Sequence, residues 1–374
     1  MSSGENPRFL AMNTECFDYD LPAQRIAQRP AARRDESRLL VVHRSNRSIE
    51  HRRFKDLPDY CGPSDSFFRN TARVLPARLF GQRPTGGQVE CLLLKQSDPE
   101  ITSDGEAWWC LLKPGRKLPV GSVFGIDCTF EATVMEKNPQ AEYLVSFEIA
   151  SGHSVTELAR RFGKMPLPPY IQRERQDSQD EDDKDRYQTV YAQEDRAVAA
   201  AAPTAGLHFT DDLSERLFQA GSQFHDLILH VGMGTFKPLG EGSVESHEIH
   251  REIYEIPQET QEALRNAPSK GRRRVCVGTT SVRSVEDYLR KTDATVPRSF
   301  VSEASIFIYP TANFKGVDAL ITNFHLPKST LLCLVSAFLS PGKIDGIDWL
   351  KEIYAEAISE KYRFLSYGDA MLIL

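Results

Sequence analysis

The sequence predicts an α/β domain with a mostly parallel sheet, together with an inserted all-β barrel domain. Between residues 66 and 149, short strand candidates alternate with turn residues and show no helical periodicity. Many short strands at regular spacing are typical of a barrel or a sandwich. After residue 154, strand and helix patterns alternate, which favours a parallel sheet covered by helices. The length of 374 residues is consistent with two domains.

These patterns divide the chain into three parts. Residues 1–15 are polar and lack periodicity, so we expect a disordered extension there. Residues 16–65 and 150–374 form the predicted α/β catalytic domain, and residues 66–149 form the predicted barrel. The strand candidates of the barrel are 77–81, 88–95, 106–112, 122–126, 130–136 and 142–148.

The α/β part begins with a strand candidate at residues 38–43. Thr210 is a typical helix N-cap, and Asp211 and Asp212 after it suit the positive end of a helix dipole. Further strands are predicted at 224–231, 274–278, 305–309 and 317–323. Helices are predicted at 154–162, 211–220, 257–266, 281–291, 330–339 and 347–362.

Composition excludes several classes of protein. Hydrophobic content of 40% and charged content of 26% are ordinary for a soluble globular protein. No apolar run approaches the ~20 residues that cross a bilayer, and residues 331–339 are better interpreted as a buried helix. No signal peptide is evident. Seven cysteines without a C-x-x-C pair argue against a zinc site and a disulfide framework, and favour a reducing cytoplasm.

A net charge of −6 does not by itself indicate a nucleic-acid binder. Arginines nevertheless cluster locally, at 33–34, 52–53, 73–83 and 272–274, whereas acid concentrates at 176–186. A basic face on an acidic protein can bind RNA phosphates. Solvated surface charge is the alternative interpretation of each cluster.

Six segments place Gly, Pro, Thr, His or Arg against an apolar run. Such residues fit poorly inside helices and strands, so we interpret each segment as a loop at the end of a regular element. Binding and catalytic groups concentrate in loops held by a rigid scaffold. The segments are MPLPPYI (165–171), APTAGLHFT (202–210), LHVGMGTF (229–236), VGTTSVRS (277–284), TNFHLPKST (322–330) and KYRFLSYGDAM (361–371).

The segment at 277–284 follows a strand and opens a helix. Gly278 allows close backbone approach, and the helix amides with the hydroxyls of Thr279, Thr280 and Ser281 could bind an anion or a carboxylate. Arg283 could add a bidentate contact. Simple helix capping is the alternative, since the motif is neither a Walker motif nor the G-x-G-x-x-G fingerprint.

Histidines recur in these segments. Asn323 and His325 end a buried strand, where side chains face the usual ligand crevice of an α/β sheet. His208 precedes a capped helix and could transfer a proton near neutral pH, or could simply pack in the core. His247 and His250 lack the spacing of helical metal ligands, so hydrogen-bonded structural histidines are favoured there.

Two further features point to close contact with a ligand. Gly232 and Gly234 flank a single residue after a strand, as expected for a tight turn. Tyr170 follows a rigid Pro-rich stretch and, like Tyr187 and Phe209, could stack on a base. Core packing is the alternative for all three aromatic residues.

Taken in this order, the six segments resemble the S-adenosylmethionine:tRNA ribosyltransferase-isomerase family of queuosine biosynthesis, from about Cys16 to the C-terminus. The resemblance implies transfer and isomerisation of the ribosyl part of S-adenosylmethionine onto 7-aminomethyl-7-deazaguanine at the tRNA wobble position. Epoxyqueuosine would form, with release of adenine and methionine. It also implies S-adenosylmethionine as cosubstrate, no metal, and the tRNA anticodon loop as partner. We further expect no membrane association, and a monomer or homodimer.

With this resemblance we hypothesise His325 and His208 as acid/base residues, and Arg73 and Arg78 as tRNA-binding residues. A paralogue acting on a non-tRNA acceptor and a non-catalytic RNA-binding protein remain alternatives. A methyltransferase is disfavoured by the missing G-x-G-type loop. The residues expected to bind substrate or cosubstrate are Tyr170, Thr204, Gly206, Gly232, Gly234, Thr235, Thr279, Thr280, Ser281, Arg283 and Asn323.

Overall fold

The computed structural model describes residues 12–97, 106–150, 152–173, 180–194, 197–199, 201–230, 232, 238–292 and 296–374. The chain divides into two units, which are described separately. The first comprises Met1–Asn70, Thr204–Leu227 and Gly234–Leu374, and the second comprises Thr71–Pro203 and Ile228–Met233. None of the described helices is long and apolar enough to span a membrane.

The regular elements are as follows. The strands are β1 (Arg38–His43), β2 (Ser48–Arg53), β3 (Asp65–Asn70), β4 (Arg73–Val74), β5 (Arg78–Gln82), β6 (Gln88–Gln96), β7 (Glu106–Lys113), β8 (Val123–Ile126), β9 (Phe130–Lys137), β10 (Tyr143–Ile149), β11 (Ala197–Ala199), β12 (Gln223–Leu229), β13 (Glu252–Pro257), β14 (Arg273–Val277), β15 (Ser299–Ala304), β16 (Ala319–Asn323) and β17 (Ala370–Ile373). The helices are α1 (Val155–Phe162), α2 (Asp180–Arg186), α3 (Asp211–Gln219), α4 (Gln258–Asn266), α5 (Thr279–Lys291), α6 (Thr330–Leu339) and α7 (Gly346–Ser359).

The first unit is built on a nine-stranded sheet in the order β15-β13-β12-β3-β14-β16-β17-β1-β2. Neighbours run parallel from β12 through β3 and β14 to β16, and β1 runs parallel to β17. The pairs β13–β15, β16–β17 and β1–β2 are antiparallel. The predicted α/β domain is therefore confirmed, with a mixed sheet whose parallel pairs lie mainly in its middle.

Burial on both faces explains why the central strands are almost wholly apolar. All five residues of β16 and all four of β17 are buried. The apolar helix α6 is buried from Leu332 to Leu339, which confirms the helix predicted at 330–339. Helix α5 begins two residues earlier than predicted, because Gly278 adopts φ 89° and turns the chain directly from β14 into the helix.

The second unit contains a closed antiparallel barrel in the order β10-β7-β6-β5-β8-β9, which confirms the predicted barrel. Helix α1 begins with a capping box between Ser154 and Glu157, and its residues Val155 and Leu158 join the barrel core. Short strands β4 and β11 pair in parallel.

The unit boundaries differ from the predicted 66–149. Strand β3 belongs to the large sheet, and the second unit extends to Pro203. Every residue of β3 except Arg69 is buried, so its sequence lacks the alternation that would distinguish a sheet strand from a barrel strand. Of the predicted extension 1–15, residues 1–11 lie outside the described part, whereas Thr14–Phe17 form a 3-10 turn whose Phe17 is buried.

The strand predicted at 305–309 is wrong. The strand in this region is β15, which ends at Ala304 and pairs with β13. The apolar run that suggested a strand instead lines a cavity, through Phe307 and Ile308. Periodicity cannot distinguish these two environments for a short apolar run.

Candidate functional site

Two adjacent residues at the carboxyl end of β16 each hold a histidine. The Thr322 hydroxyl lies 2.8 Å from Nε2 of His325, and the Asn323 amide nitrogen lies 3.2 Å from Nε2 of His208. Both strand residues are buried. Successive side chains of a strand point to opposite faces. The structure therefore attaches the two predicted catalytic histidines to opposite faces of one strand end.

His208 uses both ring nitrogens for hydrogen bonds. Its Nδ1 lies 2.7 Å from the Ser37 hydroxyl, which donates in turn to the carbonyl oxygen of Arg34 at 3.0 Å. Nδ1 is therefore the donor and Nε2 accepts from Asn323. The ring also stacks on Phe54, with centroids 5.0 Å apart. These contacts suit a residue that positions Asn323; the acid/base role of His208 stays a prediction.

His325 is fixed through its backbone as well as its ring. Its amide donates to the Tyr354 hydroxyl at 3.0 Å, and its carbonyl oxygen accepts from the Tyr19 hydroxyl. The Thr322 hydroxyl also approaches the Asn323 carbonyl oxygen at 3.3 Å, so Nε2–H of His325 can donate to Thr322. In that tautomer Nδ1 carries the lone pair, and it has no hydrogen bond to any described residue.

Burial sets the charge of both imidazoles. It lowers the pKa of His325 to about 3 and the pKa of His208 to about 4, against the opposing effect of Asp369. Desolvation penalises the cationic form, and no carboxylate of a described residue lies within hydrogen-bonding distance of either ring to offset it. Both histidines are therefore neutral at neutral pH, able to accept a proton but not poised to donate one as imidazolium.

A small cavity opens at the N-terminal end of α5. Thr279, Thr280 and Arg283 line it, as the sequence predicted for a ligand site, whereas its remaining walls were not predicted. Those walls include His247, His250, Glu252, Phe307 and Leu334. All the lining residues belong to the first unit.

Arg283 forms a buried ion pair with Glu252 in the wall of this cavity. Its Nη2 also donates to the carbonyl oxygens of His250 and Ala304, at 3.0 and 3.1 Å. Glu252 begins β13, a strand that the sequence did not predict. No local sequence pattern marks a carboxylate at the first residue of a strand that was not predicted. Glu252 was therefore not among the predicted site residues.

Ser281, which was predicted to bind substrate or cosubstrate, does not line this cavity. Ser281 is fully buried, and its hydroxyl donates to the carbonyl oxygen of Val277 at 2.8 Å. Thr204 and Gly206 lie in a 3-10 turn that ends at His208. Tyr170 and Gly232 belong to the second unit and do not line this cavity, whereas Gly234 and Thr235 lie outside the described residues.

The arginines predicted to contact tRNA are in ion pairs. Arg73 lies 3.8 Å from Glu194, and Arg78 lies 3.4 Å from Glu90. Both pairs belong to the second unit and are partly exposed, so each remains accessible to solvent. Tyr187 and Phe209 are almost completely buried, which favours the core interpretation for these two aromatic residues.

Comparisons with known proteins cover nearly the whole chain. Residues 14–373 match the family described as queuosine biosynthesis protein. The S-adenosylmethionine:tRNA ribosyltransferase-isomerase of Thermotoga maritima is 43% identical over 97% of this chain and 100% of its own length. The protein of the same name from Symbiobacterium thermophilum is 46% identical, again over 97% and 100%.

A solved structure agrees with these relatives. The crystal structure of the S-adenosylmethionine tRNA ribosyltransferase from Thermotoga maritima is 34% identical to this chain. The match covers 96% of this chain and 100% of the other, with a TM-score of 0.53. The chain therefore belongs to the family of queuosine biosynthesis proteins.

Proposed function

We propose that this protein is an S-adenosylmethionine:tRNA ribosyltransferase-isomerase that acts in the cytoplasm. It transfers and isomerises the ribosyl part of S-adenosylmethionine onto 7-aminomethyl-7-deazaguanine at the wobble position of tRNA. The products are epoxyqueuosine in tRNA, adenine and methionine. The observation that carries this proposal is the match to relatives bearing that enzyme name over their full length.

The reaction sets three requirements for the site. The positive sulfur of the cosubstrate acidifies the adjacent 5′ carbon, so a base must remove a proton there. Adenine leaves as the ribose ring opens, and this step requires a group that donates a proton to the departing adenine. The aminomethyl group of the tRNA base must react as a neutral amine. These are proton transfers by positioned groups, each of which typically contributes about 10²–10⁴-fold in rate.

His325 fits the first requirement. It is neutral at neutral pH because burial lowers its pKa to about 3, and its Nδ1 can carry the lone pair. Contacts to Thr322, Tyr354 and Tyr19 hold its ring and backbone in one position. A fixed base in a desolvated position loses little freedom when it meets the substrate.

Asn323 and His208 complete the strand end. The Asn323 side-chain oxygen is buried and has no hydrogen-bond partner in the described part of the chain, while its amide nitrogen is held by His208 and by the Leu365 carbonyl oxygen. We assign the oxygen as an acceptor for a substrate hydroxyl or amine, because buried polar atoms are rarely left unpaired. His208 then acts as a positioning residue for that amide.

Thr279, Thr280 and Arg283 are assigned to the cosubstrate, since they line the cavity at the start of α5. Arg73 and Arg78 are assigned to the tRNA backbone. The wobble base lies in an unpaired anticodon loop, so it can turn out of its stack at a cost of a few kcal/mol.

The test is incubation of the full chain with S-adenosylmethionine and tRNA carrying 7-aminomethyl-7-deazaguanine, followed by mass analysis of nucleosides and free adenine. We expect epoxyqueuosine and adenine in equal amounts, and loss of both in His325→Ala. Cosubstrate binding without a modified nucleoside would favour a paralogue with another acceptor. Absence of binding to either substrate would refute the proposal.

A further inference from the structure

The cavity at the start of α5 has one buried charge of each sign in its wall. The side chains of Arg283 and Glu252 are only 9% and 4% exposed. A buried pair adds little net stability, because desolvation offsets most of the attraction. A ligand that contacts both side chains would therefore need a negatively charged group and a positively charged group close together.

Donors without acceptors lie on one side of this cavity. The first helical bond of α5 runs from the Val282 amide to the Gly278 carbonyl oxygen, so the amides of residues 279–281 precede the helical ladder. Gly278 has no side chain to cap them. The Thr280 hydroxyl oxygen and the Arg283 Nε are buried, and neither has a hydrogen-bond partner among the described residues. Unpaired donors at a helix N-terminus favour an anionic group such as a carboxylate.

An acceptor for a cation lies in the same cavity. Glu252 lines it and places a carboxylate there, whose Oε2 is also contacted by Nη1 of Arg283. The wall also carries an edge-to-face pair of His247 and Phe307, with ring centroids 5.6 Å apart. Aromatic faces attract a nearby cation such as a sulfonium.

We propose that this cavity binds the zwitterionic end of an α-amino acid. The carboxylate lies at the α5 amides with the Thr280 hydroxyl and Arg283 Nε, and the ammonium lies on Glu252. Under the proposed function, on which the identity of the ligand rests, that amino acid is the methionyl part of the cosubstrate. Glu252 is then the residue that selects a free α-amino group.

Calorimetry with the full chain tests the pocket without tRNA. The probes are L-methionine, its desamino analogue and its decarboxylated analogue. We expect each analogue to bind about 10- to 100-fold more weakly than L-methionine, as loss of a charge-assisted hydrogen bond predicts. Glu252→Gln should weaken the binding of L-methionine by a similar factor and leave the affinity for the desamino analogue unchanged.

Thr280→Val is a second variant, outside the ion pair. It should weaken the binding of L-methionine and of the desamino analogue, and leave the affinity for the decarboxylated analogue unchanged. Glu303→Gln is the matched control, because Glu303 is exposed on the neighbouring strand β15 and does not line the cavity. If Glu252→Gln does not fold, Thr280→Val and the wild-type analogue series still decide the proposal.

Equal binding of L-methionine and both analogues, or no binding of L-methionine, would overturn the proposal. So would a folded Glu252→Gln variant that binds L-methionine as wild type does. The modification assay on the wild type is independent of these measurements. Epoxyqueuosine formation without the expected discrimination would refute the pocket alone, whereas discrimination without a modified nucleoside would refute the proposed function alone.

Discussion

Replacing His325 by glutamine tests the assignment of the base. Burial lowers the pKa of this imidazole from 6.5 to about 3, because desolvation penalises the cationic ring. The wild-type rate should therefore stay flat through pH 6.5 on the acidic side. His325→Gln should lower kcat by about 10²–10⁴-fold, the usual contribution of one general base.

The assay is single-turnover release of adenine, followed across the pH range in which the protein stays folded. Thr322→Ser is the matched control, because it keeps the hydroxyl that lies 2.8 Å from Nε2, and it should retain most of the rate. An acidic limb near pH 6.5 in the wild type that disappears in His325→Gln would show an ordinary, hydrated imidazole. That result, or full turnover in His325→Gln, would refute the reasoning.

The same pKa shift affects stability with a definite sign. The folded-state pKa of His325 lies below its unfolded value of 6.5, so the unfolded chain binds more protons as the pH falls. The contribution is present above about pH 6.5 and is lost as the pH falls toward about 3. Urea unfolding monitored for the first unit should therefore depend less steeply on pH in His325→Gln than in the wild type.

Three further substitutions probe contacts around the sites. Ser37→Ala removes the acceptor for Nδ1 of His208 and should destabilise the protein by about 1–3 kcal/mol in urea unfolding; an unchanged midpoint would contradict the assigned bond. Glu286→Ala empties a fully buried carboxylate that accepts the Gly316 amide at 2.7 Å, and should cost about 3–5 kcal/mol in thermal unfolding; a loss comparable to that of an exposed Glu→Ala would argue against this contact. Gly278→Ala places a side chain on backbone at φ 89° and ψ 153°, a conformation that costs other residues about 1–3 kcal/mol. It should also weaken cosubstrate binding in calorimetry, whereas wild-type affinity would show that the turn tolerates a side chain.

The fold could be predicted where the sequence has a strong local pattern. The apolar helix α6 and the strands of the barrel repeat their patterns over several residues, and both predictions are confirmed. Strands β2, β13 and β17 were not predicted. None of the six residues of β2 is buried, β13 pairs with β15, which begins more than 40 residues later, and β17 pairs with β1, which lies more than 300 residues earlier. Their positions depend on tertiary pairing, which outweighs weak local preference.

In the candidate site, too, local sequence patterns could be predicted and long-range contacts could not. Thr279, Thr280 and Arg283 could be found because a strand, a glycine and a helix start are contiguous in the sequence. Glu252 could not, since it reaches Arg283 across 31 positions. The hydrogen bond between Ser37 and His208 spans 171 positions, so no local pattern could show that both nitrogens of His208 are occupied. Sequence motifs identified the loops, whereas the long-range partners decide what each side chain can do.

The position of β17 bears on how the chain folds during synthesis. This strand lies between β16 and β1 in the sheet, and Leu39 pairs with Ala370. The hairpin of β1 and β2 is thus made early on the ribosome but joins the sheet through a strand that is made more than three hundred residues later. Such distant pairing slows folding. One edge of β1 therefore stays unpaired in the nascent first unit until β17 has been translated.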